Sequence, residues 1–272
     1  MKRAPESRRG WEADALRPVP STPEAFRGAR NGDNSRLPEG ISYREINWGG
    51  TAGIYGSSLG TGRSSFLEGL IVGRDEILEE LIRIGRESYR LRLTPGTAGN
   101  LSVRSEKGLI ISRSGVSLGF AVKDDYLEVT GDDAGGNGRP SSELPMHAAI
   151  YRKVPEARAV LHFHGPWIIQ IGTREHPRRW IPEPMPPEFS RLAPEGYVPR
   201  VPAMDPGSAR LANATGEAFL CGSRGAVLCG HGGVAWGDDP RDALHCAEAM
   251  ESAAGGHFLY RLARMVEGRD AR

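Results

Sequence analysis

The chain has 272 residues, enough for one large domain or for a domain with an arm. Its 35 basic and 34 acidic side chains nearly cancel, which excludes partners held by bulk charge, such as nucleic acid or an anionic membrane surface. No apolar run approaches the roughly eighteen residues of a membrane span.

The N-terminus, Met1 to Glu6, is charged with no apolar stretch behind it, so a secretory signal is not expected. Cys221, Cys229 and Cys246 are odd in number and lack CxxC spacing, which fits free thiols in a reducing cytoplasm. Residues 1–70 read as an extended Gly/Pro-rich arm. Pro18, Pro20, Pro23 and Pro38 lie there among charges, with too few apolar residues to offset ordering entropy. Its segment Gly49 to Ser65 resembles a phosphate loop only in composition. A P-loop ending at Gly62 needs glycine where Ser57 stands and lysine where Arg63 stands, so a flexible Gly/Ser loop is expected.

The folded domain is expected over residues 71–272. From Arg74 to about Leu93, Ile77, Leu78, Leu81, Ile82, Ile84 and Leu91 recur near helical spacing, with Asp75 and Glu76 in the first turn. Strand-like runs follow at Leu101–Arg104, Gly108–Ser112 and Tyr126–Thr130. Pro140-Ser141-Ser142-Glu143 reads as a helix start, its hydroxyls capping an amphipathic run to Tyr151. Ala159–Phe163 is a further strand, and the proline-rich stretch Ile181 to Pro206 is expected to break regular structure. A helix near Ser208–Leu220 precedes strands at Ala226–Cys229 and Gly233–Trp236. Asp239-Pro240 opens a last helix to about Val266. The class is mixed α/β, with strands both in hairpins and separated by helices.

The chemistry concentrates in four short pieces. His162 and His164 stand at i and i+2 on a strand, so both rings face one way, and His231 is a third imidazole in a distant Gly-rich loop. Three protein ligands with one open position are the pattern of a catalytic metal site. Gly96-Thr97-Ala98-Gly99-Asn100, Ser112-Arg113-Ser114-Gly115 and Ser141-Ser142 offer hydroxyls, an amide and backbone N–H groups near a helix start, as an oxyanion or phosphate requires. Glu143 in the same loop is suited to general acid/base work beside a metal. Glu143 and His147, four apart, also fit a plain helix-face pair.

In order and spacing these motifs resemble the class II aldolase/adducin family, and its L-fuculose-phosphate aldolase branch in particular. The match runs from about Arg74 to Val266. The resemblance implies a three-layer fold with a central, mainly antiparallel sheet flanked by helices, in a homotetramer with active sites between subunits. It implies that His162, His164 and His231 bind one divalent metal, zinc in the aldolases, and that Glu143 is the acid/base and ligates the metal when substrate is absent. Thr97, Asn100, Ser114, Gly115, Ser141 and Ser142 would hold a substrate phosphate. The implied activity is that of a lyase on a small phosphorylated hydroxy-carbonyl compound, through an enediolate.

Two departures support an alternative. The aldolases carry a mid-chain tyrosine as proton donor, and Ile181 to Arg191 has none, Tyr197 being nearest. The histidine strand is also rich in apolar and aromatic residues: Phe163, Trp167, Ile168 and Ile169 either pack the core or shape a pocket for an aromatic substrate. The second option points to the oxygenases of aminocoumarin pathways, which share the fold but use non-haem iron (Fe2+) and O₂ on prenylated hydroxyphenylpyruvates. A sugar-phosphate dehydratase or epimerase is a milder variant. An adducin-like interaction module is the non-enzymatic one, disfavoured because all three histidines and Glu143 are present.

Overall fold

A computed structural model of the chain describes residues 73–130, 133–135, 138–173 and 178–268. The N-terminal arm, with its Gly/Ser loop, lies outside the described residues. Helix α1 (Arg74–Arg90) forms where Leu78, Leu81 and Ile84 recur at helical spacing and bury one stripe. Each such side chain contributes about 1.5–3 kcal/mol by leaving water. The Glu76 carboxylate accepts from the Gly73 N–H at 3.2 Å and holds the first turn.

Strands β1 (Asn100–Arg104), β2 (Leu109–Ser112), β3 (Tyr126–Thr130) and β4 (Asp133–Gly135) then form an antiparallel meander. Helix α2 (Leu144–Lys153) leads to β5 (Ala159–Phe163), α3 (Pro166–Gly172), β6 (Arg179–Trp180), α4 (Phe189–Leu192) and β7 (Val198–Val201). Helix α5 (Ala209–Ala218), the hairpin of β8 (Gly225–Leu228) and β9 (Gly232–Gly237), and α6 (Pro240–Val266) complete the order. The two last α-helices begin as their sequences suggest. Ser208 accepts from the Leu211 N–H at 3.2 Å, and Asp239 from the Asp242 N–H at 2.7 Å.

The described strands form one sheet in the order β4-β3-β2-β1-β5-β9-β8-β7-β6. Only the β7–β8 pair is parallel, so the expected mainly antiparallel sheet is observed. Along β5 the side chains alternate. Ala159, Leu161 and Phe163 join a core with α1, α3, α4 and α6, whereas Val160 joins a second core with α2 and α5. Helices therefore cover both faces, the three-layer α/β arrangement.

Three local expectations differ from what forms. The stretch 181–206 is not irregular throughout, because it holds α4 and β7, in which Pro199 pairs with Arg179 of the two-residue edge strand β6. The run to Tyr151 is not amphipathic, since Leu144 through Tyr151 are all buried between the sheet and α5. Nor do the serine hydroxyls cap α2. The helix opens from Glu143, and Ser141 Oγ instead accepts from the Glu143 N–H at 3.2 Å. No helix of the described residues is long and apolar enough to cross a membrane.

Candidate active site

The four motifs converge at one end of the sheet, and the backbone ties them pairwise. Asn100 lies directly opposite His162 in the β1–β5 ladder, so their side chains share a face. The loop after β2 is laced to the segment before α2. Ser114 N–H donates to Arg139 O at 2.9 Å, Ser141 N–H to Ser112 O at 3.0 Å, and Arg113 bridges Pro140. These two N–H groups are therefore spent inside the protein, which corrects the expectation of free backbone donors there. What remains at these positions is the side-chain hydroxyls of Ser114, Ser141 and Ser142, with Ser142 exposed. Thr97 and Gly115 are exposed in their loops as well. Gly99 has φ +80°, and a Cβ there would come within 2.7 Å of His162 O, so the turn before β1 requires glycine.

His162, His164 and His231 offer ring nitrogens that all lie within 4.8 Å of one another. Their ring centroids form a triangle with sides of 4.7, 4.6 and 5.0 Å. His231 is delivered by the tight β8–β9 turn, where a side chain on Gly232 would strike Phe163 O. The tautomer of His162 follows from its contacts. Its Nδ1–H donates to Gly233 O at 2.9 Å, which leaves the Nε2 lone pair facing His164 Nε2, also at 2.9 Å. Burial pushes all three imidazole pKa values down, His231 to about 4 and His162 well below the usual range, with repulsion from the neighbouring rings adding to it at His162 and His231. Three neutral imidazoles with converging lone pairs fit a divalent cation. A metal with nitrogen ligands at about 2.0–2.1 Å satisfies both facing nitrogens without needing a proton between them.

Glu143 is 3 % exposed, and neither carboxylate oxygen has a hydrogen-bond partner. Desolvation pushes its pKa up to about 7, partly offset by the backbone of Gly207 nearby. Gly207 has φ +72°, and the loop carrying it packs against Ser142. Its Pro206-Gly207 turn is a sequence signal that could have marked it as a neighbour of the site. The Glu143 carboxylate is not among the groups that lie within 4.8 Å of one another in the histidine triangle. Nor does Glu143 pair with His147. That histidine is fully buried and bonds Asn100 Oδ1 at 2.6 Å and Ser102 Oγ at 2.7 Å. No local sequence pattern announced these partners, which lie 47 and 45 residues away.

The aromatic strand has a structural explanation. Phe163 points to the face opposite His162 and is completely buried, as is Ile168. Trp167 packs at a tilt against Phe258 of α6, ring centroids 5.5 Å apart. Adjacent strand residues face opposite ways, so Phe163 lies in the α1/α3/α6 core, not beside the metal site. Tyr197 precedes β7, at the end of that strand remote from the His231 turn, and lies under the Arg179 guanidinium at 4.3 Å. It is not placed to serve the site of its own chain.

Comparison with known proteins agrees with this geometry. Residues 79–257 match the family described as Class II Aldolase and Adducin N-terminal domain. The chain is 32 % identical over 181 residues, covering 65 % of this chain and 84 % of the relative, to a 3-oxo-tetronate 4-phosphate decarboxylase of Haemophilus influenzae. It is also 32 % identical over 179 residues, 63 % of this chain and 85 % of the relative, to a methylthioribulose-1-phosphate dehydratase of Acidiphilium cryptum. The solved structure of L-fuculose-1-phosphate aldolase from Thermus thermophilus superposes with a TM-score of 0.62 at 26 % identity, over 69 % of this chain and 95 % of that one. The shared fold, the motifs in order and the histidine triangle lead to one assignment: the chain belongs to the class II aldolase/adducin family.

Proposed function

We propose that the protein is a divalent-metal-dependent lyase acting on a small phosphorylated hydroxy-carbonyl compound through an enediolate. The observation that carries this reading is the histidine triangle in the same site as a buried, unpartnered Glu143. His162, His164 and His231 would hold the ion, zinc in the first instance, which supplies Lewis-acid stabilisation of negative charge on substrate oxygens. Glu143, with a pKa near neutrality, takes or returns the proton at the reacting carbon. Thr97, Asn100, Ser114, Gly115, Ser141 and Ser142 would receive the phosphoryl group. Assembly as a homotetramer, with sites between subunits, is part of the same proposal.

The relatives' names share a phosphorylated small substrate but differ in the bond broken. The lack of a tyrosine in the stretch from Ile181 to Arg191 favours decarboxylation. A carboxylate that leaves as CO₂ has no hydroxyl proton to shed, so it needs no tyrosine, whereas departure of an aldehyde does. The fragment left behind then takes its proton from Glu143. The iron oxygenase reading rested partly on a greasy strand, and Phe163 and Ile168 belong to the core instead.

The test is a screen of zinc-loaded enzyme with phosphorylated 3-oxo sugar acids and with ketose phosphates. Release of CO₂ from the former is the expected outcome. Aldehyde release from ketose phosphates alone would replace decarboxylation by aldol cleavage. O₂ uptake with aromatic 2-oxo acids would overturn the lyase reading.

A further inference from the structure

A buried polar chain runs from the α2 side of the sheet to the phosphate loops: Tyr151 to Ser102 at 2.8 Å, Ser102 to His147 Nδ1 at 2.7 Å, and His147 Nε2 to Asn100 Oδ1 at 2.6 Å. All four side chains are buried, Tyr151 to 3 % and Asn100 to 6 % exposure, in a face otherwise filled by aliphatic packing. Polar groups are retained in such a place only when each is satisfied.

The direction of the chain can be deduced by following its protons. Ser102 Oγ is the side-chain partner of the Tyr151 hydroxyl at 2.8 Å, and we assign the phenol as the donor. The Ser102 proton must then go to His147 Nδ1, since Tyr151 already uses its proton on Ser102. With Nδ1 accepting, the neutral imidazole carries its proton on Nε2 and donates to Asn100. The Asn100 atom facing His147 is then the carbonyl oxygen, at 2.6 Å. The amide nitrogen of Asn100 then lies on the side away from His147.

We infer that Tyr151, Ser102 and His147 are positioning residues that lock the Asn100 amide with its N–H donors presented to a substrate oxyanion at the loops of Thr97, Ser114 and Ser141. The inference rests on the phosphorylated-substrate reading above and assigns a role to the histidine that the Glu143–His147 spacing left unexplained. A flipped Asn100 would present its carbonyl oxygen to the anion, replacing attraction with repulsion. The relay prevents this flip before substrate arrives, so no binding free energy is lost to reorienting the amide.

The experiment titrates inorganic phosphate into the metal-loaded enzyme and its variants, with ¹⁵N NMR of the His147 ring. In the wild type the ring should show the Nε2–H tautomer. Tyr151→Phe and His147→Leu should weaken phosphate binding about three- to tenfold, with metal content unchanged. His147→Gln keeps a side-chain N–H for Asn100 and should recover most of the loss. With substrate in hand, the same variants should raise KM with little change in kcat. An Nδ1–H tautomer, or unchanged phosphate affinity in a folded His147→Leu or Tyr151→Phe variant, would overturn the relay. Absence of phosphate binding by the wild type would instead remove the phosphorylated-substrate reading beneath it.

Discussion

The two faces of the central sheet are built from the same strands but to different ends. On the face covered by α1, α3 and α6, strand residues such as Leu101, Leu161 and Phe163 are apolar and close-packed. On the face covered by α2 and α5, the same strands present Asn100, Ser102 and His162 alongside Val160, and the helix adds His147 and Tyr151. The first face supplies stability chiefly through apolar burial, with a few buried hydrogen bonds such as Tyr126 Oη to Leu81 O. The second carries polar groups whose desolvation must be offset by hydrogen bonds, and it leaves one carboxylate, Glu143, without any. Residues 162 and 163 are covalent neighbours on opposite sides of this divide.

Substitutions across the divide should separate function from stability. His162→Ala should abolish metal binding and turnover together, because two remaining imidazoles hold an ion poorly. Elemental analysis and activity on one preparation check this, and full occupancy with normal turnover would dismiss the site. Glu143→Gln is expected to retain the metal while slowing turnover by about 10²–10⁴; a normal rate would make Glu143 structural. Phe163→Ala should do the reverse, destabilising by about 3–5 kcal/mol in denaturant while the folded fraction still binds metal. Loss of metal affinity without loss of stability in that variant would mean that the two faces are not separable.

The smallest effect concerns pH in the metal-free protein. The Glu143 pKa is raised from 4.5 to about 7 in the fold, so the folded state holds this proton where the unfolded chain has released it. Its own contribution to stability therefore falls as pH rises from about 4.5 through 7, by on the order of 3 kcal/mol at most, against the opposite slope of the buried histidines, and is read as the difference between the wild type and Glu143→Gln. Glu143→Gln should remove that slope and be the more stable protein at pH 8. Identical pH profiles for the two proteins would contradict the buried, unpartnered carboxylate.

Much of the site was legible in the sequence because its parts are local. The i, i+2 pair His162/His164, the Gly-rich turns and the hydroxyl motifs carry their geometry in short spacings, and His231 was reached through the order of motifs. The same alternation that puts His162 and His164 together sends Phe163 to the far core, which decides between core packing and an aromatic pocket at that position. The partners of His147 were invisible because Asn100 and Ser102 reach it only when β1 packs beneath α2. Strand β7 was missed because its composition, Val198-Pro199-Arg200-Val201 within a proline-rich stretch, argues locally against a strand. Pairing with β8 overrides that preference.

The most direct test of the central claim is elemental analysis of wild-type protein and His162→Ala, both purified anaerobically without chelators. The account predicts zinc near one per subunit in the wild type and none in the variant. Wild-type protein without bound metal, or a variant that keeps it, would contradict the histidine triangle as a metal site. Iron near one per subunit would preserve the site but contradict the lyase chemistry proposed for it.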